Sequence, residues 1–166
     1  MTVHNNDAEL FNRLQQHFAA QFEAVFPDRM APKTIVVIPS LTLDQKILEN
    51  VKGVNYYEER LLCMLMLLRM PNTHVVYVTS MPIDPVIIDY YLHLLPGITG
   101  CHARKRLHLL SCYDASCISL TEKILQRPRL VEKIKESIPF GHLAHITFFN
   151  VTDAERKLAI RLQLPV

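Results

Sequence analysis

The chain has 166 residues, 49% of them hydrophobic and 20% charged, with 18 basic side chains against 16 acidic ones and a formal net charge of +2. That composition excludes a disordered chain and suits one domain with a core large enough to stand without disulfide staples. The near-balanced charge gives no whole-molecule attraction to nucleic acid.

From Asp7 to Phe26 the spacing predicts a helix, because Leu10, Leu14, Phe18, Phe22 and Val25 recur three to four residues apart and Phe11 and Phe26 widen the stripe. Asn6 and Glu9 have capping-box spacing, and Pro27 and Pro32 close the segment. Ile35 to Ile38 is an unbroken β-branched run, the pattern of a strand buried on both faces, and Pro39 ends it. Further strands are predicted at His74–Ser80, Arg106–Ser111 and Ala144–Val151.

Helical patterns fill the intervals. "DQKILENV" (Asp44 to Val51) is short. "YYEERLLCMLMLLRM" (Tyr56 to Met70) has Glu58 and Glu59 early and Arg69 late, which suits the helix dipole. It is apolar almost all round, which predicts a deeply covered helix. "DPVIIDYYLHLL" has Pro85 just inside its start and Pro96-Gly97 beyond its end. "SLTEKILQ" and "PRLVEKIKESI" are split by Pro128, and "TDAERKLAIRLQ" opens on a Thr152/Glu155 capping box. Strands alternating with helices predict an α/β, Rossmann-like three-layer fold: a mostly parallel sheet of about four to five strands with helices on both faces. Residues 1–32 are expected to form an N-terminal helix and linker, and 33–166 the Rossmann-like domain. The final helix runs into Leu164-Pro165-Val166 without a polar tail, the pattern expected of the first part of something longer.

The longest apolar run, Leu61 to Leu68, is about half of the roughly 18 residues that span a bilayer. The opening "MTVHNNDAEL" lacks the basic and apolar regions of a secretory signal, and the four cysteines are irregularly spaced. A cytoplasmic location with reduced thiols is therefore expected. Of the four glycines, only Gly97 and Gly100 lie near each other, so neither G-x-G-x-x-G nor G-x-x-x-x-G-K-[ST] is present.

The densest set of reactive side chains is "SCYDASCISLTEKI", Ser111 to Ile124. Ser119 and Glu122 have capping-box spacing, and Asp114 and Ser116 are turn residues. Cys112 and Cys117 do not have C-x-x-C spacing. A strand end, a turn and a capped helix account for the stretch. Its position matters more, since open α/β sheets place ligands beyond the carboxyl ends of their strands. Ser40, Thr79, Ser80, Ser111, Asn150 and Thr152 would gather there, as candidate substrate-binding residues that equally suit helix caps.

Other constellations carry less. Ser40, Ser80, Ser111 or Cys112 as a nucleophile would need a base that no local spacing supplies. His102, His108, Cys112 and Cys117 lack zinc-ligand spacing, and His142 and His145 (i, i+3) stand at Gly141 and a strand rather than on a helix. No catalytic residue and no metal ligand is assigned. "HARKR" (His102 to Arg106) is the compact basic cluster; it reads as a solvated loop, or else meets a phosphate or acidic surface. No aromatic residue interleaves it, which argues against nucleic-acid stacking. Glu58 and Glu59 read as helix-start charges, with a general base or magnesium ligand as the alternative. Tyr56, Tyr57, Tyr90 and Tyr91 read as core-edge residues.

Several blocks look familiar together: "VIPSLTLD", "YYEERLL", "VVYVTS", "DYYLHLLPG", "LTEKIL" and "FNVT". From Lys33 to Val166 the chain resembles the N-terminal pre-ATP-grasp domain of peptide ligases related to the one in pheganomycin biosynthesis. In that family an ATP-grasp module follows, binds ATP with magnesium, and makes an acyl phosphate that an amine attacks. The resemblance implies a non-catalytic domain of a carboxylate–amine ligase that packs against the catalytic module and helps shape the substrate site. ATP and magnesium are implied for that module, in the same or another chain, and no cofactor for this one. An exposed apolar docking face, and homodimerisation through it, would follow; nucleic acid and membrane are not expected partners. The alternative is a stand-alone α/β small-molecule-binding or regulatory module holding an anionic ligand, and the third reading is a self-sufficient hydrolase or transferase.

Overall fold

The computed structural model describes residues 2–16, 18–25, 27–43, 46, 50, 52–139 and 141–166, with only the backbone of 2–6 and 54–55. Four strands, β1 (Lys33–Val37), β2 (Thr73–Thr79), β3 (Leu107–Ser111) and β4 (Leu143–Thr147), form one sheet in the order β3-β2-β1-β4. Every pairing is parallel: Lys33 lies beside both Thr73 and Leu143, and Val75 beside Leu107. This is the three-layer, Rossmann-like α/β fold that the alternation predicts. All five residues of β1 are buried, as its β-branched run requires of a central strand.

Alternate residues of the strands feed two cores. Val36, Ile38, Val76, Val78 and Ile146 pack beneath α5 (Leu120–Leu125), α6 (Pro128–Glu136) and α7 (Asp153–Leu162). Ile35, Val37, Val75 and Tyr77 pack beneath a 3-10 helix, η1 (Val54–Arg69), and α3 (Pro85–His93), with α4 (Gly100–Arg104) beside it. Strands β1 and β2 are thus followed by helices on one face, and β3 and β4 by helices on the other. That arrangement is what right-handed crossovers demand when the chain returns from β3 across β2 and β1 to β4.

Four expectations change. The first segment is not one helix from Asp7 to Phe26 but two, α1 (Thr2–Gln15) and α2 (Phe18–Val25). Asn6 falls inside α1 rather than at its start, and Phe26 lies outside the described residues. The break has a packing cause: Phe11 joins the α5–α7 core, whereas Phe18 and Phe22 meet His145, whose ring centroid is 5.4 and 6.0 Å away. His145 is in register with Ile35 and so points to the opposite face of the sheet. A single straight stripe cannot serve both faces.

The long apolar helix is also not covered all round. Its burial repeats every three residues: Leu62, Leu65 and Leu68 are buried, Arg60, Cys63, Met66 and Arg69 exposed, and Leu61, Met64 and Leu67 between. A 3-10 helix has three residues per turn, so the three leucines stack in one line onto the sheet. Tyr56 and Tyr90, expected at core edges, are 73% and 62% exposed.

"HARKR" is not a free loop. His102 to Arg104 end α4, and the Arg106 guanidinium donates to Leu68 O (2.6 Å), Met70 O (2.5 Å) and Thr73 O (2.8 Å). The arginine thus ties together the end of η1 at Leu68, the turn at Met70 and the start of β2 at Thr73. The "DQKILENV" pattern falls largely outside the described residues. Beyond α7, Ile146 N–H donates to Pro165 O at 2.8 Å, so the C-terminal segment runs beside β4. Among the described residues no helix is long and apolar enough to cross a membrane.

Candidate functional site

Two chain divergences occur at the carboxyl ends of the strands, where neighbouring strands send their helices to opposite faces. The first lies between β1 and β4, and described residues of the two loops bond across it. Thr42 N–H donates to Asn150 Oδ1 (3.3 Å), and Asn150 Nδ2 returns a bond to Thr42 O (2.9 Å). The Thr42 hydroxyl donates to Glu155 Oε1 (2.5 Å), while Thr152 gives its backbone N–H (2.9 Å) and hydroxyl (2.5 Å) to Glu155 Oε2. Glu155 is fully buried. Burial pushes its pKa up, but the hydroxyls of Thr121, Thr152 and Thr42 more than offset this and hold the carboxyl below its ordinary value. Ser40, also fully buried, accepts from Thr121 N–H (3.1 Å) and shares a bond with the Thr42 hydroxyl (3.0 Å).

The second divergence lies between β2 and β3. Glu58, at 8% exposure, projects from η1 onto the end of β2. Its Oε2 accepts from Ser80 N–H and its Oε1 from the Ser80 hydroxyl, both at 2.5 Å. Lys123 of α5, 1% exposed, donates to Ser80 Oγ (2.8 Å) and to Asp114 O (2.9 Å). Glu58, Ser80 and Lys123 therefore form a buried carboxylate–hydroxyl–ammonium chain. Burial raises the Glu58 pKa above its ordinary value, against the pull of the Ser80 donors and the Lys123 charge. Asp114 accepts from Ser116 N–H (2.9 Å) and from Arg127 (2.6 Å), which hold it well below the usual carboxylate range.

Two cavities flank the end of β2, the larger between η1 and the β2 loop and the smaller between β2 and β3. A cavity of about 260 Å³ is lined by Gly53, Tyr56, Glu58, Glu59, Thr79, Met81, Pro82 and Ile83. Another of about 190 Å³ is lined by Thr79, Pro82, Ile83, Leu109, Leu110, Ser111 and Tyr113. Thr79, Pro82 and Ile83 border both, so the two adjoin. An apolar interstice between α2 and β4, by contrast, holds only about 20 Å³.

The six residues picked out from the sequence thus divide between the two divergences. Ser40, Asn150 and Thr152 meet at β1/β4, with their polar atoms engaged inside the protein. Thr79, Ser80 and Ser111 meet at β2/β3; half-buried Ser111 borders a cavity, Thr79 borders both cavities but is buried with its hydroxyl donating to Met81 O (2.7 Å), and Ser80 is fully buried. Sequence reasoning treated Glu58 as a helix-start charge and missed Lys123. Lys123 sits three residues after buried Leu120 and beside buried Ile124, on the apolar edge of its helix, and that spacing is the one available signal. The nucleophile reading gains a lysine and a glutamate beside Ser80, yet no substrate reaches a hydroxyl with no exposed surface. Cys112 is no better placed, because burial lifts its pKa to about 11 and keeps the thiol protonated near neutrality. The Ser111–Ile124 stretch is a strand end, a turn held by Asp114, and a helix capped by the Ser119 hydroxyl accepting from Glu122 N–H (3.3 Å).

The chain is 29% identical over 133 residues to L-propargylglycine--L-glutamate ligase from Streptantibioticus cattleyicolor. Those residues make up 77% of this chain and 27% of that enzyme, so the chain spans about a quarter of the length of the curated relative it matches. No family profile and no solved structure matches. The chain is therefore related to part of an amino acid ligase.

Proposed function

We propose that this chain acts as the N-terminal, Rossmann-like domain of an ATP-grasp carboxylate–amine ligase, packing against a catalytic module and supplying one wall of the substrate site. The observation that carries this reading is the match confined to 27% of a ligase, over most of this chain. The residues present do not fit the nucleotide or the metal. Among the described residues no group of three or more His, Cys, Asp or Glu is arranged to hold a metal ion, and the four glycines do not make a phosphate loop. In this reading ATP and magnesium are held by the module, and this domain's part is to bind and orient a substrate at the strand ends. Of the six rim residues, half-buried Ser111 is the one proposed to touch that substrate; buried Thr79, whose hydroxyl donates to Met81 O (2.7 Å), and Ser40, Ser80, Asn150 and Thr152 are proposed to position the loops.

The test is to assay ADP release and amide formation by the chain alone and with the catalytic three-quarters of the Streptantibioticus relative supplied in trans. Neither should occur with the chain alone, and the addition should raise the module's ligation rate. Nucleotide consumption and amide formation by the chain by itself would end the proposal. The rival, a stand-alone module for an anionic ligand, draws support from the open cavities. It meets a charge problem: no lysine or arginine is among the described residues lining either one, and two glutamates are.

A further inference from the structure

The adjoining cavities at β2/β3 differ in chemistry. The larger one is bordered by two carboxylates, Glu58 and Glu59, and by the exposed ring of Tyr56. The nearest buried cation, Lys123, stands behind Ser80 with 1% exposure and is engaged by Ser80 Oγ and Asp114 O. Arg127 is paired with Asp114. Two carboxyl groups therefore border the cavity, with no cation among the described residues of its lining. Each Glu58 oxygen accepts one bond from Ser80 and retains acceptor capacity. A primary ammonium supplies three donors and a positive charge, and a tyrosine face attracts it further.

The smaller cavity is walled by Ile83, Leu109, Leu110 and Pro82, with Ser111 at its edge. Tyr113 stands at its mouth, 77% exposed and with φ at 53°, a conformation that a bulky non-glycine residue holds at a cost. An aromatic ring kept in the left-handed region, without burial to offset the strain, points to a use outside the fold. Together the cavities offer a cationic subsite next to an apolar one across the shared Thr79–Pro82–Ile83 wall.

We propose that this cleft binds an amine substrate, with its ammonium between Glu58 and Glu59 over Tyr56 and its apolar side chain against Ile83, Leu109 and Tyr113. The assignment rests on the ligase reading, and it identifies which substrate this domain takes: the amine rather than the carboxylate partner. It also places the amine beside the end of β2, at the two adjoining cavities.

The test uses the 15N-labelled 166-residue chain, titrated with L-leucinamide and with N-acetyl-L-leucinamide, which keeps the side chain but lacks the ammonium. The expected result is saturable shifts of the backbone N–H signals of Thr79, Met81, Ser111 and Tyr113 with leucinamide, and at least tenfold weaker binding of the acetylated compound. Glu59→Gln should weaken leucinamide at least tenfold with an unchanged spectrum elsewhere. Glu58→Gln, which also loosens Ser80, is read only for a variant whose spectrum is folded. No saturable shift up to about 20 mM, a concentration that would fill even a millimolar site, would overturn the proposal, as would equal binding of the acetylated compound or an unchanged Glu59→Gln. A chain that fails here yet stimulates the catalytic module removes the amine cleft and leaves the ligase reading standing. Binding without stimulation supports the cleft and removes the ligase reading.

Discussion

Replacing Lys123 with methionine isolates the charge from the packing, since the methionine keeps most of the aliphatic stem. In the native chain the ammonium makes two bonds, to Ser80 Oγ at 2.8 Å and to Asp114 O at 2.9 Å, at a residue with 1% exposure. Hydrogen bonds to a charged group contribute about 1.5 kcal/mol each, so the loss should be about 3 kcal/mol. It should depend on pH. Without Lys123, the Glu58 carboxylate keeps its Ser80 donors but loses its nearest counter-charge, and its pKa, already raised by burial, rises further. A carboxyl with a raised pKa in the folded state binds protons there that the unfolded chain does not hold. The variant therefore regains stability as pH falls toward the unfolded value near 4.5, and loses it as pH rises through the folded one. Urea unfolding followed by circular dichroism should give a deficit of about 3 kcal/mol at pH 8, shrinking by about 1 kcal/mol at pH 5.5. Taking the difference from the parent at each pH cancels the other titrating groups. Adding Glu58→Gln should cost less in the Lys123→Met background than in the parent, because the pair is coupled. A deficit below about 1 kcal/mol, or one that is the same at both pH values, would refute the idea that Lys123 neutralises Glu58 through Ser80.

The parent chain should lose stability in acid as pH falls from 6.5 toward 4, because burial depresses His74 and His145 to about 4 and both must be neutral to fold; each contributes about 2 kcal/mol over that window, and His145→Phe should flatten the stability–pH curve between those limits. Arg106→Met frees the carbonyls of Leu68, Met70 and Thr73, and should cost about 3 kcal/mol and raise hydrogen exchange selectively in the last turn of η1. Tyr113→Gly and Gln163→Gly both relieve a left-handed backbone, with φ of 53° and 58°, and each should raise thermal stability by up to about 1 kcal/mol. For Tyr113 that gain should come with weaker leucinamide binding.

Much of the framework was legible because it rests on local pattern. The β-branched runs at Ile35–Ile38 and His74–Ser80 gave the two central strands, and their unbroken apolar character gave burial on both faces. Thr152 and Glu155 gave the start of α7, and both capping-box bonds are present. What local pattern could not give was a second role for the same side chain. Glu155 also accepts from Thr42, 113 residues earlier in the chain, and so ties the β1 loop to the β4 loop. Glu58 and Glu59 look equivalent in "YYEERLL", yet one is buried against the end of β2 and the other is only partly covered. The three-residue period of η1 would put Glu59 in phase with Leu62, Leu65 and Leu68; Glu58 is buried instead because it bonds to Ser80 at the end of β2, a contact no local pattern shows.

Strand order explains why the site stands where it does. In the order β3-β2-β1-β4, the β1 and β2 loops lead to helices on one face and the β3 and β4 loops to helices on the other. Gaps are therefore available at β1/β4 and at β2/β3, and ligand sites in such sheets form at points of this kind. At β1/β4, Thr42, Asn150, Thr152 and Glu155 bond to one another across the gap. At β2/β3 the Ser80 side chain bonds to Glu58 and Lys123, its carbonyl accepts from Asp114 N–H (2.9 Å) and from the Ser111 hydroxyl (3.3 Å), and a cavity remains beside Thr79, Leu109 and Ser111. Among the described residues a buried carboxylate thus stands at each opening: Glu155 ties the β1 loop to the β4 loop, whereas Glu58 holds the end of β2 and borders a cavity.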